Sequence, residues 1–131
     1  MPDGGGRIAL GSGAFEGPFT LRARVEDGQP GANPEELIGL GHAACFTMSL
    51  ADLLSTEGHP PADLQTRASV RLDQTDTGWS ITQIELHTTG RVAGVDAATF
   101  ERLAEQAKAT CPVSRALAGT RITLVAELTP K

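Results

Sequence analysis

The sequence is short of cysteine, of basic charge and of long apolar runs, and each shortage closes off a class of protein. Its two cysteines, Cys45 and Cys111, and three scattered histidines, His42, His59 and His87, show no ligand-pair spacing, so no metal is expected. The formal net charge is −5, which argues against a nucleic-acid partner, because such binders carry a basic stripe or a high pI. The opening MPDGGGR has one basic residue and no apolar segment behind it. No secretory signal is read there, and a cytoplasmic location is expected. In that compartment two cysteines are more often free, metal-binding or redox-active than locked in a structural disulfide. The uncharged run from Leu37 to Ala51 falls short of the about 18 apolar residues that a membrane span requires, so no membrane partner is expected. There is no internal repeat and no dividing linker. Residues 1–131 therefore read as a single domain, with the Gly-rich residues 1–6 disordered.

What is present centres on Asn33 to Thr56, NPEELIGLGHAACFTMSLADLLST. Asn33 can accept from a free backbone N–H, Pro34 suits the first helical position, and Glu36 can close a capping box. Glu35 and Glu36 meet the positive end of the helix dipole. Leu37, Ile38, Leu40, Ala43, Ala44, Phe46, Met48 and Leu50 are spread around the whole circumference, and a helix apolar on every side is expected to be buried. Gly39, Gly41, Ala43 and Ala44 let another backbone approach closely. Gly58 and Pro60-Pro61 end the helix.

Around this helix the chain reads β-β-α-β-β-α-β. Arg7 to Phe15 and Pro18 to Val25 alternate and are expected to pair as strands about Glu16-Gly17, with Phe19, Leu21 and Ala23 on one face. Glu26 to Ala32 is a loop. Leu64 to Thr75 and Gly78 to Val92 form a hairpin through Asp76-Thr77-Gly78, with Ala68, Val70 and Leu72 inward. Asp96 caps a helix over Ala97 to Thr110, whose inward stripe is Phe100, Leu103, Ala104 and Ala107. Cys111 returns to that inward face about three turns after Phe100. Pro112 breaks the helix or starts a short turn to Leu117, and Thr120 to Leu128 is a closing strand. The class is α+β, with a mostly antiparallel sheet and one core helix.

Chemistry is concentrated at the cysteines. Both fall on inward faces, where a cysteine is often only a small hydrophobe. Cys111-Pro112 places one thiol at a helix start, where the dipole and free N–H groups favour a thiolate. His42, three residues before Cys45, reads as a satisfied buried histidine, since no third residue orients it as a base. Ser49, Ser55 and Ser114 lack any G-x-S-x-G elbow. Glu35 alone reads as a dipole partner and Arg24 alone as a solvated strand residue.

NPEELIGLGHAACFTMSL, followed about 66 positions later by CPVSRAL, resembles the OsmC/Ohr family of thiol-dependent peroxidases, over nearly the whole chain from about Arg24. HAACF and CPVS are similar to its OsmC (osmotically inducible protein C-like) branch. The family opens with an aromatic-containing strand that has no counterpart here. The resemblance implies a mostly antiparallel sheet wrapped on a long buried central helix, in an intertwined homodimer. It places the peroxidatic cysteine on Cys45, the resolving cysteine on Cys111, and the glutamate ten residues before the first cysteine on Glu35. The family's arginine falls on Arg24 in Arg24-Val25-Glu26; Arg22 is the other candidate, because the loop up to Asn33 is one residue longer than in relatives.

The implied activity is reduction of organic hydroperoxides, and of hydrogen peroxide less well, through a Cys45 sulfenic acid and a Cys45–Cys111 disulfide. The resemblance implies an external dithiol of lipoyl type that resets the cycle, and no bound cofactor. Phe46, Met48 and Leu50 suit an alkyl group. Glu35 and Cys45, ten residues apart on one helix, are separated by about 15 Å along its axis. One arginine cannot bridge that span within one chain, so Glu35 of one copy is expected to complete the Cys45 site of the other. The rival reading is a non-catalytic redox sensor or a small-ligand-binding module on the same fold.

Overall fold

A single threonine hydroxyl changes the expected start of the chain. The computed structural model describes residues 4–26 and 28–130, and the chain forms two compact units, Met1–Ile38 and Gly39–Lys131. In the first unit, β1 (Gly6–Ala9) and β2 (Glu16–Phe19) pair antiparallel, with Gly6 opposite Phe19 and Ala9 opposite Glu16. The turn lies between Leu10 and Phe15 and not at Glu16-Gly17: the Leu10 N–H donates to the Phe15 carbonyl at 2.8 Å, and Gly13 takes a φ of 80°.

The second strand stops at Phe19. Thr20 Oγ1 accepts from the Ala23 N–H at 2.9 Å and caps a short helix, α1 (Leu21–Val25). This local side-chain bond overrides the alternation of Phe19, Leu21 and Ala23 that pointed to a strand. Of the residues expected to be disordered, Met1 to Asp3 lie outside the described residues, whereas Gly6 is already paired in β1.

Helix α2 (Pro34–Thr56) starts where its capping signal stands, with Asn33 Oδ1 accepting from the Glu36 N–H at 2.8 Å. At its far end Gly58 takes a φ of 87°, and the His59 N–H reaches back to the Leu54 carbonyl at 2.8 Å, a Schellman-type stop. The helix is not buried on every side. Phe46, Leu50 and Leu54 are fully buried, but Leu40 is 69% and Met48 74% exposed. One sheet and one further helix cover only one face of it. At 23 residues α2 is also long and apolar enough to cross a membrane by length and composition, because it extends beyond its uncharged run at both ends. That corrects the expectation of a run too short to span, although Phe46, Leu50 and Leu54 are taken up by a protein core.

In the second unit, β3 (Asp63–Thr75) and β4 (Gly78–Arg91) form the expected antiparallel hairpin around Asp76-Thr77, with a register shift between Arg71 and Leu72. Asp96 Oδ1 accepts from the Thr99 N–H at 2.8 Å and opens α3 (Ala97–Thr110). A five-residue turn of helix, α4 (Pro112–Ala116), leads to β5 (Arg121–Leu128). The strand order is β3-β4-β5, and β5 runs parallel to β4. The sheet is therefore mixed. Residues 92–120, carrying α3 and α4, supply the long crossover that a parallel pair requires.

Phe46, Leu50 and Leu54 from α2, Leu86 from β4, Val92 just after it, and Phe100, Leu103, Ala104 and Ala107 from α3 make one buried cluster. Gly90 lies beneath Phe100: a Cβ there would come within 2.7 Å of the ring. Gly90→Ala is therefore expected to cost about 1–3 kcal/mol by overpacking. Gly119→Ala, with no atom within 4 Å of its new methyl, should stay within about 0.5 kcal/mol of wild type. Urea unfolding midpoints of the two variants check this, and equal midpoints would show that the ring yields freely.

Candidate active site

Two helix positions far apart in sequence bring the thiols together. Cys45 sits on α2, one residue before Phe46, which is fully buried in the core cluster. Cys111 ends α3, its N–H donating to the Ala107 carbonyl at 2.9 Å, and begins α4, its carbonyl accepting from the Arg115 N–H at 3.0 Å. Pro112 has no N–H to continue α3, so the chain turns at the cysteine. Phe100, Leu103, Ala104 and Ala107 pack into the cluster that also holds Phe46 and Leu50, and this common core sets the two helices face to face. The Cys45 and Cys111 Sγ atoms are 2.8 Å apart, and both thiols are free. Cys111 is fully buried and Cys45 partly so.

The pair does not share its acidity evenly. Burial, then the contact with Cys111, push the Cys45 thiol up, against a backbone hydrogen bond from Val113. Burial also acts to raise Cys111, but hydrogen bonding at its sulfur, foremost the contact with Cys45, holds it below the usual thiol range. Cys111 opens α4 without a side-chain capping bond.

His42 is fully buried, and its Nε2 lies 2.7 Å from Ser114 Oγ. Among the described residues its Nδ1 has no partner, so it is a histidine only half satisfied, and burial lowers its pKa. Sequence reasoning set both residues aside. The available signal was spacing: His42 precedes Cys45 by three and Ser114 follows Cys111 by three, and on a helix such positions share a face. Phe46 and Leu50, expected to face an alkyl group, are instead spent in the core, while Met48 points outward.

The other two predicted residues meet in the first unit. Arg24 Nε donates to both Glu35 oxygens, at 2.9 and 3.1 Å, and Nη2 to Oε1 at 2.7 Å. Glu35 is buried, and the pair has the two-pronged geometry that suits arginine and not lysine. Asn33, which caps α2, also donates from Nδ2 to the Ala23 carbonyl at 3.0 Å, tying α1 to the start of α2. Arg22 pairs with Glu26 on the exposed side of α1 at 3.3 Å, so Arg24 is the arginine set against Glu35. The structure brings Cys45 to Cys111 and Arg24 to Glu35, each pair within its own unit.

Comparison with known proteins identifies the family. Residues 26–125 match the family model of OsmC-like proteins. The chain is 44% identical over 115 residues to peroxiredoxin OsmC of Escherichia coli, covering 87% of this chain and 80% of that protein. It is 34% identical over 104 residues to the organic hydroperoxide resistance protein OhrA of Bacillus subtilis, covering 78% and 70%. The crystal structure of OhrB of Bacillus subtilis superposes with a TM-score of 0.74 at 25% identity, over 95% of this chain and 90% of that one.

Two thiols in direct contact should close readily. Treatment of the reduced protein with diamide is expected to consume both thiols and give an intrachain disulfide, seen as loss of two hydrogens in the mass of an unlinked chain. A disulfide formed mainly between chains would contradict the placement.

Proposed function

The chain belongs to the OsmC family of thiol-dependent peroxidases, and we propose that it reduces organic hydroperoxides to alcohols through a two-cysteine cycle. The observation that carries this reading is the 2.8 Å contact between Cys45 and Cys111. The Cys45 thiolate attacks the terminal peroxide oxygen, the O–O bond breaks, and the alkoxide leaves with a proton as the alcohol. Cys45 is then a sulfenic acid. Cys111, as a thiolate, attacks its sulfur; the S–S bond forms and hydroxide leaves to become water. An external dithiol, of lipoyl type by family resemblance, restores both thiols by exchange, with no bound cofactor. Relatives named for organic hydroperoxide resistance favour an organic substrate over hydrogen peroxide.

Ionising Cys45 is the demanding step, because burial opposes it. In the proposed enzyme the cation is Arg24, held by Glu35, and it comes from a second copy. α2 is unbroken from Pro34 to Thr56, so Glu35 and Cys45 stand ten residues, or about 15 Å, apart along it. Leu40, Gly41, Ala44 and Met48 form an exposed stripe on α2 with small residues at its centre, suited to a close approach by the same helix of a partner. An obligate homodimer of the intertwined kind, with the sheets wrapped on the two long helices and two composite sites, satisfies both requirements. It would work in the cytoplasm, without nucleic-acid or membrane partners.

Steady-state turnover of cumene hydroperoxide with a dithiol tests the cycle. Cys45→Ser is expected to abolish it, and Cys111→Ser to react once and stall. Arg24→Lys should lose about tenfold to hundredfold in kcat/KM, since lysine keeps the charge but not the fork. Peroxide consumption by Cys45→Ser at the wild-type rate would replace the enzyme reading with a sensor or binding module. For the composite site, inactive Cys45→Ser and Glu35→Gln proteins are mixed and allowed to exchange subunits. Activity is expected to reappear, because one site of each mixed dimer is intact; no recovery despite exchange would place Glu35 in its own chain's site.

A further inference from the structure

The cycle makes no use of the buried contact between His42 and Ser114, although each residue lies one helical turn from a thiol. We infer that they are positioning residues: their hydrogen bond pins α4 to α2 and so keeps Cys111 set against Cys45 for closure of the disulfide. This rests on the two-cysteine reading above. His42 stands three residues before Cys45 on α2, and Ser114 three residues after Cys111, which opens α4. Such spacings share a helix face. The two faces meet twice, sulfur to sulfur at 2.8 Å and His42 Nε2 to Ser114 Oγ at 2.7 Å.

Cys111 is held from two sides, and unequally. On the α3 side its N–H donates to the Ala107 carbonyl, and Ala107 is locked with Phe100, Leu103 and Ala104 into the core. On the α4 side its carbonyl accepts from the Arg115 N–H, but among the described residues no side chain of Pro112–Ala116 belongs to that core. A helix of five residues does not persist by itself in water. The one buried residue of α4 is Ser114. Among the described residues its bond to His42 is the one side-chain hydrogen bond that joins α4 to α2. A polar contact thus does for α4 what apolar burial does for α3.

The direction of the bond follows from the other ring nitrogen. His42 Nδ1 has no partner among the described residues. A buried N–H left without an acceptor is rarer than an acceptor left without a donor, so the proton belongs on Nε2, which donates to Ser114 Oγ. Burial keeps the ring neutral. Loss of the hydroxyl strands that N–H and frees α4. Disulfide closure is the step that feels this. The Cys111 thiolate supplies the electron pair for the S–S bond, the Cys45 S–O bond breaks, and hydroxide leaves to become water. Closure is fast when the sulfurs are already in contact, and slower when α4 must first be ordered again. Attack of Cys45 on the peroxide comes earlier, from a helix that Phe46, Leu50 and Leu54 anchor, so it does not depend on the tie.

Exchange with oxidised dithiothreitol tests the tie without peroxide: protein dithiol and cyclic disulfide give protein disulfide and free dithiol. Ser114→Ala and His42→Leu should each lower this equilibrium constant about tenfold, the scale of fixing one further residue's backbone. His42→Gln, whose Nε2 lies as many bonds from Cα as that of the ring, should stay near wild type. The double variant His42→Leu with Ser114→Ala separates positioning from packing. It leaves no stranded N–H, so the urea midpoint of its reduced form should return toward wild type, while its exchange constant should stay as low as in the single variants. After one equivalent of peroxide, Ser114→Ala should consume the peroxide at the wild-type rate but close its disulfide about tenfold more slowly. Unchanged exchange constants in both single variants would overturn the tie, as would an exchange constant that recovers together with the urea midpoint in the double variant. Failure of the wild type to turn over peroxide would instead overturn the peroxidase reading, with the exchange constants still reporting on the tie.

Discussion

The contact between the Cys45 and Cys111 thiols depends on a hydrophobic constraint: α2 and α3 share one core. Phe46, Leu50 and Leu54 on one side and Phe100, Leu103, Ala104 and Ala107 on the other bury each other with Leu86 and Val92, and the cysteines ride on these faces. Neither thiol could find the other across 66 residues by local structure. Close packing also limits how far they can drift, because a filled interior yields little to small displacements. The meeting of the two thiols is in this sense a by-product of apolar burial, with Pro112 turning the chain at the second sulfur.

Burial that aligns the thiols also works against one of them. Burial and the neighbouring thiol push Cys45 up, whereas hydrogen bonding at Cys111, foremost the contact with Cys45, outweighs burial and pulls it down. In the proposed homodimer a cation from the second chain would offset this and couple ionisation of Cys45 to assembly.

Helix α2 serves both halves of this scheme. Its first turn holds Glu35, which fixes the Arg24 guanidinium, and its middle holds Cys45. An unbroken helix is a rigid ruler, and ten residues of it are too long for one side chain to span. In the proposed homodimer the exposed stripe of Leu40, Gly41, Ala44 and Met48 is the surface that a second copy would cover. The partly buried hydroxyl chain Thr47–Thr66–Thr88 links α2 to β3 and β4 at 2.7 and 3.0 Å, so these three hydroxyls are satisfied by one another.

By itself the sequence determined the elements whose signals are local. The Asn33-Pro34 and Asp96 caps, the Gly58 stop, the β3–β4 hairpin, the inward stripe of α3 and the break at Pro112 all lie where short-range hydrogen bonding and periodicity put them. Both cysteine motifs were legible too, as was the pairing of Glu35 with an arginine, with Arg24 favoured over Arg22 before α1 set it against Glu35. That helix was misread as a strand because alternation in Phe19, Leu21 and Ala23 is indistinguishable from chance until the Thr20 hydroxyl chooses a cap. The parallel placement of β5, the exposure of Leu40 and Met48, and the meeting of His42 with Ser114 were decided only in three dimensions. Each depends on which surfaces remain once the core has closed, and a free energy of burial summed over many distant residues leaves no mark at any one position in the chain.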